Sequence, residues 1–431
     1  MAWGNVDSMD YTPRAVDGLL DDVMSGLPAV ALEGPKGVGK TATARRLART
    51  VLSLDDPDEA RLAEIDTSWL TEEPRPVLVD EWQQVPATWD RVRRAVDRGA
   101  PPGSYLLTGS ATPTERTHSG AGRIVRLRMR PMSMDERGLV EPTVSFGELL
   151  GDHPAPVSGR SELVLRDYAE EIAASGFPGM RTLPERMRVR ALNGYVARIV
   201  DHEFSEVGHV VRRPETLRAW LTAFAAATSS TASYESILNA STSGQVDKPS
   251  RSATIAYRDT LARLWLIDQV PAWLGPRRRL ASLAQSPKHF LADPALAMRL
   301  LGVGARGLLE RPHPGKVTIR DGLLLGAMFE HLVALSVLVH AETHEAKVSH
   351  LRTKQGDHEV DLIVERDDGK VVAIEVKVAP HPTDHDVKHL RWLKEKLGDD
   401  LLDAVVVTTG PIAYRRPEDG IAVVPLSLLG P

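Results

Sequence analysis

The feature that most constrains this chain is a glycine-rich octapeptide near its beginning. It consists of Gly34, Pro35, Lys36, Gly37, Val38, Gly39, Lys40 and Thr41, and it matches the phosphate-loop pattern G-x-x-x-x-G-K-[ST]. The apolar residues 28–33 before it predict a buried strand, and the alanine-rich residues 42–49 after it predict a helix. Strand, glycine loop and helix in this order form a cradle for a polyphosphate, so we expect all eight residues to contact a bound nucleotide.

Two side chains of this loop have separate expected tasks. Lys40 is placed to reach the β- and γ-phosphates, and the Thr41 hydroxyl is placed to bind Mg²⁺. The backbone N–H groups and the following helix N-terminus add the positive partial charge that favours phosphate. The alternative is a glycine-rich turn without a ligand, which the next motif disfavours.

A second predicted strand ends in two adjacent carboxylates. Residues 76–79 form an apolar run typical of a central parallel strand, and Asp80 and Glu81 follow directly. Open α/β sheets bind their ligands at the carboxyl ends of such strands. We expect Asp80 to hold Mg²⁺, directly or from the outer coordination shell, and Glu81 to polarise the attacking water. Binding alone would not require Glu81, so the pair favours hydrolysis over the alternative of a solvated strand end.

A third predicted strand, residues 104–110, also has a polar end. Thr108 or Ser110 could contact the γ-phosphate there, although a plain strand-to-loop junction would look the same. The order of phosphate loop, Asp-Glu strand and polar-ended strand is that of an AAA-type ATPase. The sequence therefore predicts an α/β fold with a P-loop ATPase domain over residues 1–205, which uses ATP and Mg²⁺.

Five stretches carry a resemblance to a known family. They are DEWQQVP at 80–86, LTGS at 107–110, AGR at 121–123, RPMSMDE at 130–136 and SGFP at 175–178. Together they resemble the prokaryotic AAA ATPases that carry a C-terminal domain of unknown function, DUF4143. The resemblance implies that Arg123 senses nucleotide, in cis or from a neighbouring subunit; the alternative is an arginine paired with a surface carboxylate. Because AAA-type folds often work as rings, we also expect a homo-oligomer.

Length and composition limit the classes of protein to which this chain could belong. A length of 431 residues predicts two to three domains, and the absence of cysteine excludes disulfides and cysteine-based metal or nucleophile sites. The net charge of −5 does not indicate nucleic-acid binding, although a local basic patch would be enough for it. The N-terminus does not resemble a secretory signal, and we find no apolar run of the ~18 residues that a membrane span needs. We therefore expect a soluble cytoplasmic protein.

Residues 206–285 are predicted to form a winged-helix-like middle domain. Helices expected at 214–228, 233–239 and 250–266 precede a short strand at 266–270 and a basic tip, which is the helix-turn-helix arrangement with a wing. Five arginines are expected to contact DNA phosphates: Arg251, Arg258, Arg277, Arg278 and Arg279. The alternative is a small helical domain that packs on the ATPase and carries a solvated charge run.

The C-terminal part, residues 286–431, is predicted to contain a polar β-hairpin. Strands expected at 358–365 and 371–378 flank a loop whose Gly369 suits a left-handed conformation. The register of this hairpin pairs Arg366 with Lys370. Period-two geometry then puts four polar residues on one face: Glu359, Asp361, Glu375 and Lys377. In this register Asp361 lies opposite Glu375, and Glu359 lies opposite Lys377.

Two opposed carboxylates beside a lysine can hold a divalent metal, and the lysine can steady a phosphate or activate water. The pattern resembles the PD-(D/E)xK nuclease core. This resemblance implies a second divalent metal at Asp361 and Glu375, a catalytic role for Lys377 and an accessory role for Glu330 on the preceding helix. The alternatives are surface pairs on an amphipathic hairpin, or a nuclease-like fold without activity.

The whole pattern predicts Mg²⁺-dependent ATP hydrolysis coupled to action on DNA, through a winged helix and an α/β restriction-endonuclease-like C-terminal domain. Two alternatives stay open. The chain could be an ATPase switch that does not cleave nucleic acid, or a toxin–antitoxin or signalling ATPase whose C-terminal domain only binds a partner.

Overall fold

The computed structural model describes residues 11–66, 69, 72–111, 120–204, 213–242, 250–275, 286–309, 322–353 and 356–431. The contacts divide the chain into two compact units. An N-terminal unit comprises 1–130, 202–210 and 259–266, and a C-terminal unit comprises 131–201, 211–258 and 267–431. The predicted domain boundaries at 205/206 and 285/286 stay predictions.

The N-terminal unit is built on a parallel sheet of five strands in the order β2-β3-β4-β1-β5. Its strands are β1 Ala29–Glu33, β2 Thr50–Ser53, β3 Val77–Asp80, β4 Tyr105–Gly109 and β5 Val125–Arg128. Its helices are α1 Val16–Gly26, α2 Lys40–Arg45, α3 Pro57–Ile65 and α4 Ala87–Asp97, with a 3₁₀ turn at Trp82–Gln84. Every residue of β1, β3 and β4 is buried, as the near-continuous apolar runs of a doubly covered parallel sheet require. The strands predicted before the phosphate loop, before Asp80 and before Ser110 are thereby confirmed.

A tryptophan pair supports the end of the sheet that carries Asp80. The rings of Trp82 and Trp89 lie 4.6 Å apart and are almost fully buried in the core with Tyr105. Gly109 leaves room for this packing, because a Cβ there would lie 2.7 Å from Trp82 Nε1. The backbone after β3 is therefore fixed by packing at the position of the predicted catalytic carboxylate.

The C-terminal unit contains most of the helices. They are α5 Phe146–Leu149, α6 Leu165–Ala174, α7 Pro178–Arg181, α8 Glu185–Arg198, α9 Pro214–Ala226, α10 Tyr234–Ser241, α11 Arg251–Arg263, α12 Pro294–Leu300, α13 Ala305–Leu309, α14 Gly322–Thr343 and α15 Lys388–Leu397. A π-helical segment, Ile199–Glu203, follows α8, and both it and α11 cross the division between the units. Short 3₁₀ turns lie at Asp135–Arg137, Gly398–Asp400 and Leu426–Leu428.

The three helices expected in the middle of the chain are confirmed as α9, α10 and α11. A hairpin of β8 Ile267–Val270 and antiparallel β9 Lys288–Leu291 follows them. This element order agrees with the winged-helix prediction, which nevertheless stays a proposal. The predicted wing tip with Arg277, Arg278 and Arg279 lies outside the described residues.

A seven-stranded sheet forms the core of the C-terminal segment, in the order β10-β11-β12-β13-β15-β14-β7. Its strands are β7 Gly159–Arg160, β10 Lys347–Arg352, β11 Glu359–Glu365, β12 Val371–Lys377, β13 Leu401–Thr408, β14 Ile412–Arg415 and β15 Ala422–Pro425. Two short strands, β6 Val144–Ser145 and β16 Leu429–Gly430, pair separately.

The hairpin of β11 and β12 has the predicted register. Leu362 lies opposite Ile374, the Arg366 N–H donates to the Lys370 carbonyl at 2.9 Å, and Gly369 has φ of 85°. The sheet is buried on both faces, however, because α15 covers the face on which Ile363 lies. The polar residues therefore lie at the end of a doubly covered sheet rather than along an open polar face.

Helix α14 corrects the expectation that the chain lacks an apolar run of span length. Residues Leu323–Thr343 have a mean hydropathy of 1.8 over an 18-residue window and are long and apolar enough to cross a membrane, by length and composition only. Most of that window, 61%, is buried inside the protein. Polar side chains on the helix find partners there: His331 Nε2 bonds to the Leu291 carbonyl, and His340 Nε2 bonds to Asp135 Oδ1. Such burial is the behaviour of a core helix, and a cytoplasmic location stays a prediction.

Candidate nucleotide-binding site and C-terminal carboxylate centre

The phosphate loop joins β1 to α2 as predicted. Gly37 and Gly39 have φ of 84° and 102°, in the region that favours glycine. Gly34 is needed for space, since a Cβ there would come 2.1 Å from the Met129 carbonyl oxygen. The loop therefore has the backbone shape that allows its N–H groups to face an anion.

Lys40 closes the loop from inside. Its Nζ donates to the carbonyls of Gly34 and Pro35, each at 2.9 Å, and the residue is buried. Burial lowers the pKa of Lys40 to about 8, although the nearby carboxylates of Glu81 and Asp80 favour its charged form. The ammonium is thus held within the loop where phosphate oxygens would replace its carbonyl partners.

The two predicted Mg²⁺ partners are in direct contact. Thr41 Oγ1 donates to Asp80 Oδ1 at 2.8 Å, and Thr108 Oγ1 donates to the same oxygen. Burial raises the pKa of Asp80, whereas the two hydroxyl bonds favour its carboxylate form. A hydroxyl and a carboxylate at this distance form an oxygen donor set that suits Mg²⁺.

Glu81 is held beside the same strand ends. Its φ of 54° is left-handed, which is uncommon for a residue with a side chain and recurs at functional positions. Ser110 Oγ donates to Glu81 Oε2 at 2.6 Å, and Gln83 Nε2 donates to the same oxygen. Thr108 Oγ1 accepts from the Glu81 N–H at 3.2 Å. The structure thus brings both polar strand-end residues against the Asp-Glu pair.

Two contacts of the loop were missed by sequence reasoning. Arg14, only 6% exposed, donates to the Val38 carbonyl and to the Arg130 carbonyl, both at 2.8 Å. Lys36 forms an ion pair with Glu203 at 2.8 Å. Neither partner belongs to a motif, and the sequence separations of 24 and 167 residues leave no periodic signal.

Arg123 is paired with a surface carboxylate, as the alternative to a nucleotide-sensing role predicts. Its Nε donates to Asp97 Oδ1 at 2.9 Å, and its side chain is about half exposed. Its guanidinium also contacts the Ala121 carbonyl at 3.1 Å. A role in sensing nucleotide therefore stays a proposal.

The C-terminal carboxylates lie around a residue that the sequence did not single out, Lys288 of β9. Its Nζ lies 2.8 Å from both Glu330 Oε1 and Asp361 Oδ1, and 3.9 Å from Glu359 Oε1. Lys288 is only 1% exposed. The second oxygen of Asp361 accepts the Val376 N–H at 2.9 Å. We call Lys288, Glu330, Asp361, Glu375 and Lys377 the carboxylate centre.

Charge is divided unequally within the carboxylate centre. Burial would raise the pKa of Asp361, but Lys288, Lys377 and the Val376 N–H outweigh it and lower that pKa. Burial and the charge of Asp361 together raise the pKa of Glu330 to about 8. Although both carboxyls contact the same ammonium, the pKa of Asp361 is lowered because the charges of Lys288 and Lys377 act on it and it also accepts a backbone hydrogen bond.

Glu375 is the second carboxyl group of the centre whose pKa is raised. Burial, together with the Asp361 charge, raises its pKa to about 8, although Lys377 Nζ lies 2.6 Å from its Oε1. Its Oε2 is buried without a hydrogen-bond partner among the described residues. At neutral pH Glu375 is therefore expected to be a neutral acid.

Glu375→Gln is expected to flatten the pH dependence of stability. The folded protein keeps a proton on Glu375 up to about pH 8, whereas the unfolded chain releases it near 4.5, so the free energy of unfolding falls as pH rises between these values. The expected slope is about 1.4 kcal/mol per pH unit for one proton. Urea unfolding at pH 5 to 9 measures it, with the exposed Glu170→Gln as control. An equal slope in wild type and Glu375→Gln would contradict the protonated state.

The predicted second metal does not fit this arrangement. Among the described residues, no group of three or more His, Cys, Asp or Glu is placed to hold a metal ion, and this includes the predicted ligands Glu330, Asp361 and Glu375. The physical reason is that the Lys288 ammonium lies between two of these carboxylates. The described residues therefore do not support a second metal, and its assignment to Asp361 and Glu375 stays a prediction.

Arg251 and Arg258 lie on one face of α11, since a separation of seven residues is two helical turns. They line a groove of about 450 Å³ together with Tyr234, Glu235, Leu238, Thr254 and Ile255. The Arg258 guanidinium lies over the Tyr234 ring, 5.1 Å from its centroid. The groove is therefore basic and aromatic on one side.

Three family models match successive parts of the chain. Residues 27–137 match an AAA domain, 165–307 match a domain of unknown function designated DUF8612, and 325–429 match a domain of unknown function designated DUF4143. Uncharacterized proteins of Mycobacterium tuberculosis and Mycobacterium bovis are each 26% identical over 371 residues, which is 83% of this chain and 71% of the relative.

The AAA match covers the phosphate loop, Asp80, Glu81 and Ser110, and an AAA domain points to ATP binding and hydrolysis. The DUF4143 match covers the hairpin with Asp361 and Glu375. The chain thus combines a match to an AAA domain with a match to a C-terminal DUF4143 domain, which is the combination that its motifs resemble.

Proposed function

We propose that this protein hydrolyses ATP with Mg²⁺. The observation that carries the proposal is the contact between Thr41 and Asp80 at 2.8 Å, beside a phosphate loop whose Lys40 is in place. A hydroxyl at the start of α2 and a carboxylate at the end of β3 lie together here, and this pair matches the oxygen chemistry of Mg²⁺.

Each residue then has one task. The loop N–H groups and Lys40 bind the phosphates and neutralise charge as it develops. Thr41 and Asp80 would hold Mg²⁺, which supplies further neutralisation of the phosphate oxygens when bound. Glu81 accepts a hydrogen bond from the attacking water and orients it, while Ser110 and Gln83 fix the carboxylate position. Loss of phosphate release in Lys40→Ala and in Glu81→Gln tests the assignment.

We further propose that ATP hydrolysis is coupled to DNA binding by the winged-helix-like region. Support comes from the groove along α11, where Arg251 and Arg258 share one face with an aromatic ring. Arginine side chains that border a groove are frequent partners of DNA phosphates. A signalling or toxin–antitoxin ATPase would not need this groove to contact a polyanion.

The double variant Arg251→Ala with Arg258→Ala is expected to weaken duplex DNA binding at every sequence. Since each phosphate contact releases about 0.9 counterion, the slope of log K against log salt should fall by roughly 2. Fluorescence anisotropy between 50 and 300 mM salt measures this slope. Arg160→Ala with Arg166→Ala, two exposed arginines elsewhere in the C-terminal unit, is the matched control. An unchanged slope in the first double variant would favour the signalling alternative.

For the C-terminal domain, the hairpin register supports the PD-(D/E)xK-like assignment, while the position of Lys288 favours the version that does not cleave DNA. Self-association is also proposed. Arg123 is exposed enough to exchange Asp97 for a nucleotide bound by a neighbouring subunit.

A further inference from the structure

The carboxylate centre contains a buried lysine where a nuclease-like site would need a cation. Lys288 begins β9, and its ammonium lies 2.8 Å from one oxygen each of Glu330 and Asp361. A buried ammonium is strongly disfavoured unless it is paired with carboxylates and fully hydrogen-bonded. Lys288 meets this condition through the same oxygens that a metal would use.

A divalent metal and this ammonium cannot share the position. Mg²⁺ and Ca²⁺ lie about 2.0–2.6 Å from carboxylate oxygens and need several of them at once. One oxygen of Asp361 faces Lys288 and the other accepts the Val376 N–H. Glu375 Oε1 is taken by Lys377. The oxygens that remain, Glu330 Oε2 and Glu375 Oε2, belong to carboxyl groups that already contact Lys288 and Lys377 through their other oxygens.

We infer that the Lys288 ammonium permanently takes the place of a metal ion, so that the carboxylate centre is an internal ion-pair cluster and does not cleave nucleic acid. The inference is independent of the proposed ATP hydrolysis. It narrows the proposed action on DNA to binding without cleavage.

Local charge agrees with this assignment. Two lysines face the acidic groups: Lys288 Nζ lies 2.8 Å from Glu330 and Asp361, and Lys377 Nζ lies 2.6 Å from Glu375. The centre thus contains two cationic groups of its own.

The cluster also has a structural task. Lys288 lies within the segment that matches DUF8612, whereas Glu330 and Asp361 lie within the segment that matches DUF4143. Through one side chain the β8–β9 hairpin is joined to helix α14 and strand β11. Removing the charge of Lys288 should therefore loosen that junction. It should also leave the oxygens of Glu330 and Asp361 available to bind a cation.

The test compares wild type with Lys288→Met, which keeps the length of the side chain and removes its charge. Mn²⁺ binding is counted by electron paramagnetic resonance without nucleotide, and melting is followed with EDTA or with Mn²⁺. Wild type is expected to bind no Mn²⁺ at this centre and to melt identically in both conditions. Lys288→Met is expected to melt about 10 °C lower in EDTA and to regain most of that loss with Mn²⁺. The exposed Lys388→Met is the control. It should melt at the wild-type temperature in EDTA and should show no change with Mn²⁺.

Two further variants show whether any bound Mn²⁺ lies at the carboxylate centre. The gained Mn²⁺ site should vanish in Lys288→Met with Asp361→Asn, which assigns it to the carboxylate centre. Should Lys288→Met fail to fold, wild type alone still decides. One Mn²⁺ bound per wild-type chain and lost in Asp361→Asn, or cleavage of DNA by wild type but not by Asp361→Asn, would overturn the inference. ATP hydrolysis is measured separately, so its failure would not be mistaken for this one.

Discussion

Lys40→Ala is expected to lower the rate of ATP hydrolysis by about 10²–10³-fold, the usual cost of removing one donor that stabilises transition-state charge. The structure adds a second reason. Lys40 Nζ bonds to the carbonyls of Gly34 and Pro35, so its loss also removes the contacts that hold the loop closed. We expect ATP affinity and turnover to fall together.

Phosphate release at saturating and subsaturating ATP measures this effect, with binding followed separately by a fluorescent ATP analogue. Lys388→Ala removes an exposed lysine and serves as the control. Circular dichroism and melting must show that Lys40→Ala is folded. A folded Lys40→Ala that hydrolyses ATP at the wild-type rate would remove the phosphate loop from the proposed mechanism.

Glu81→Gln is expected to separate hydrolysis from binding. The amide keeps the size of the side chain and can still accept from Ser110, but it cannot take a proton from water. We expect the rate constant for hydrolysis to fall about 10²–10⁴-fold, while the dissociation constant for ATP stays within about threefold.

Single-turnover hydrolysis and equilibrium ATP binding on the same preparation measure both quantities. Glu64→Gln, at an exposed position of the same unit, is the matched control. Equal losses of affinity and hydrolysis in Glu81→Gln would mean that Glu81 shapes the site and does not act on water. The left-handed backbone at Glu81 makes this a real alternative, because its replacement could relax the turn.

The candidate nucleotide site could be predicted from the sequence because its signals are local. The glycines of the phosphate loop and the carboxylates that end β3 follow directly on apolar strands, and parallel strands bring such ends together. The β11–β12 register was predictable for the same reason, since the turn at Gly369 and the alternating residues fix it.

The partners of both sites could not be predicted. Lys288 meets Glu330 and Asp361 across 42 and 73 residues, and a lysine in a short apolar segment gives no sign of being buried. Arg14 reaches the phosphate loop from a segment without a motif. Helix α14 gives no such signal either, because it is apolar on most of its circumference and lacks the polar stripe that marks an ordinary surface helix.

The borders of the N-terminal sheet limit how subunits could assemble. Its outermost strands, β2 and β5, have four residues each, and β5 carries Arg126 and Arg128. Short, charged borders present few free N–H and C=O groups to a strand of another chain, and they resist edge-to-edge aggregation. A ring of these subunits would accordingly be held by contacts between side chains, and no continuous sheet would run from one subunit into the next.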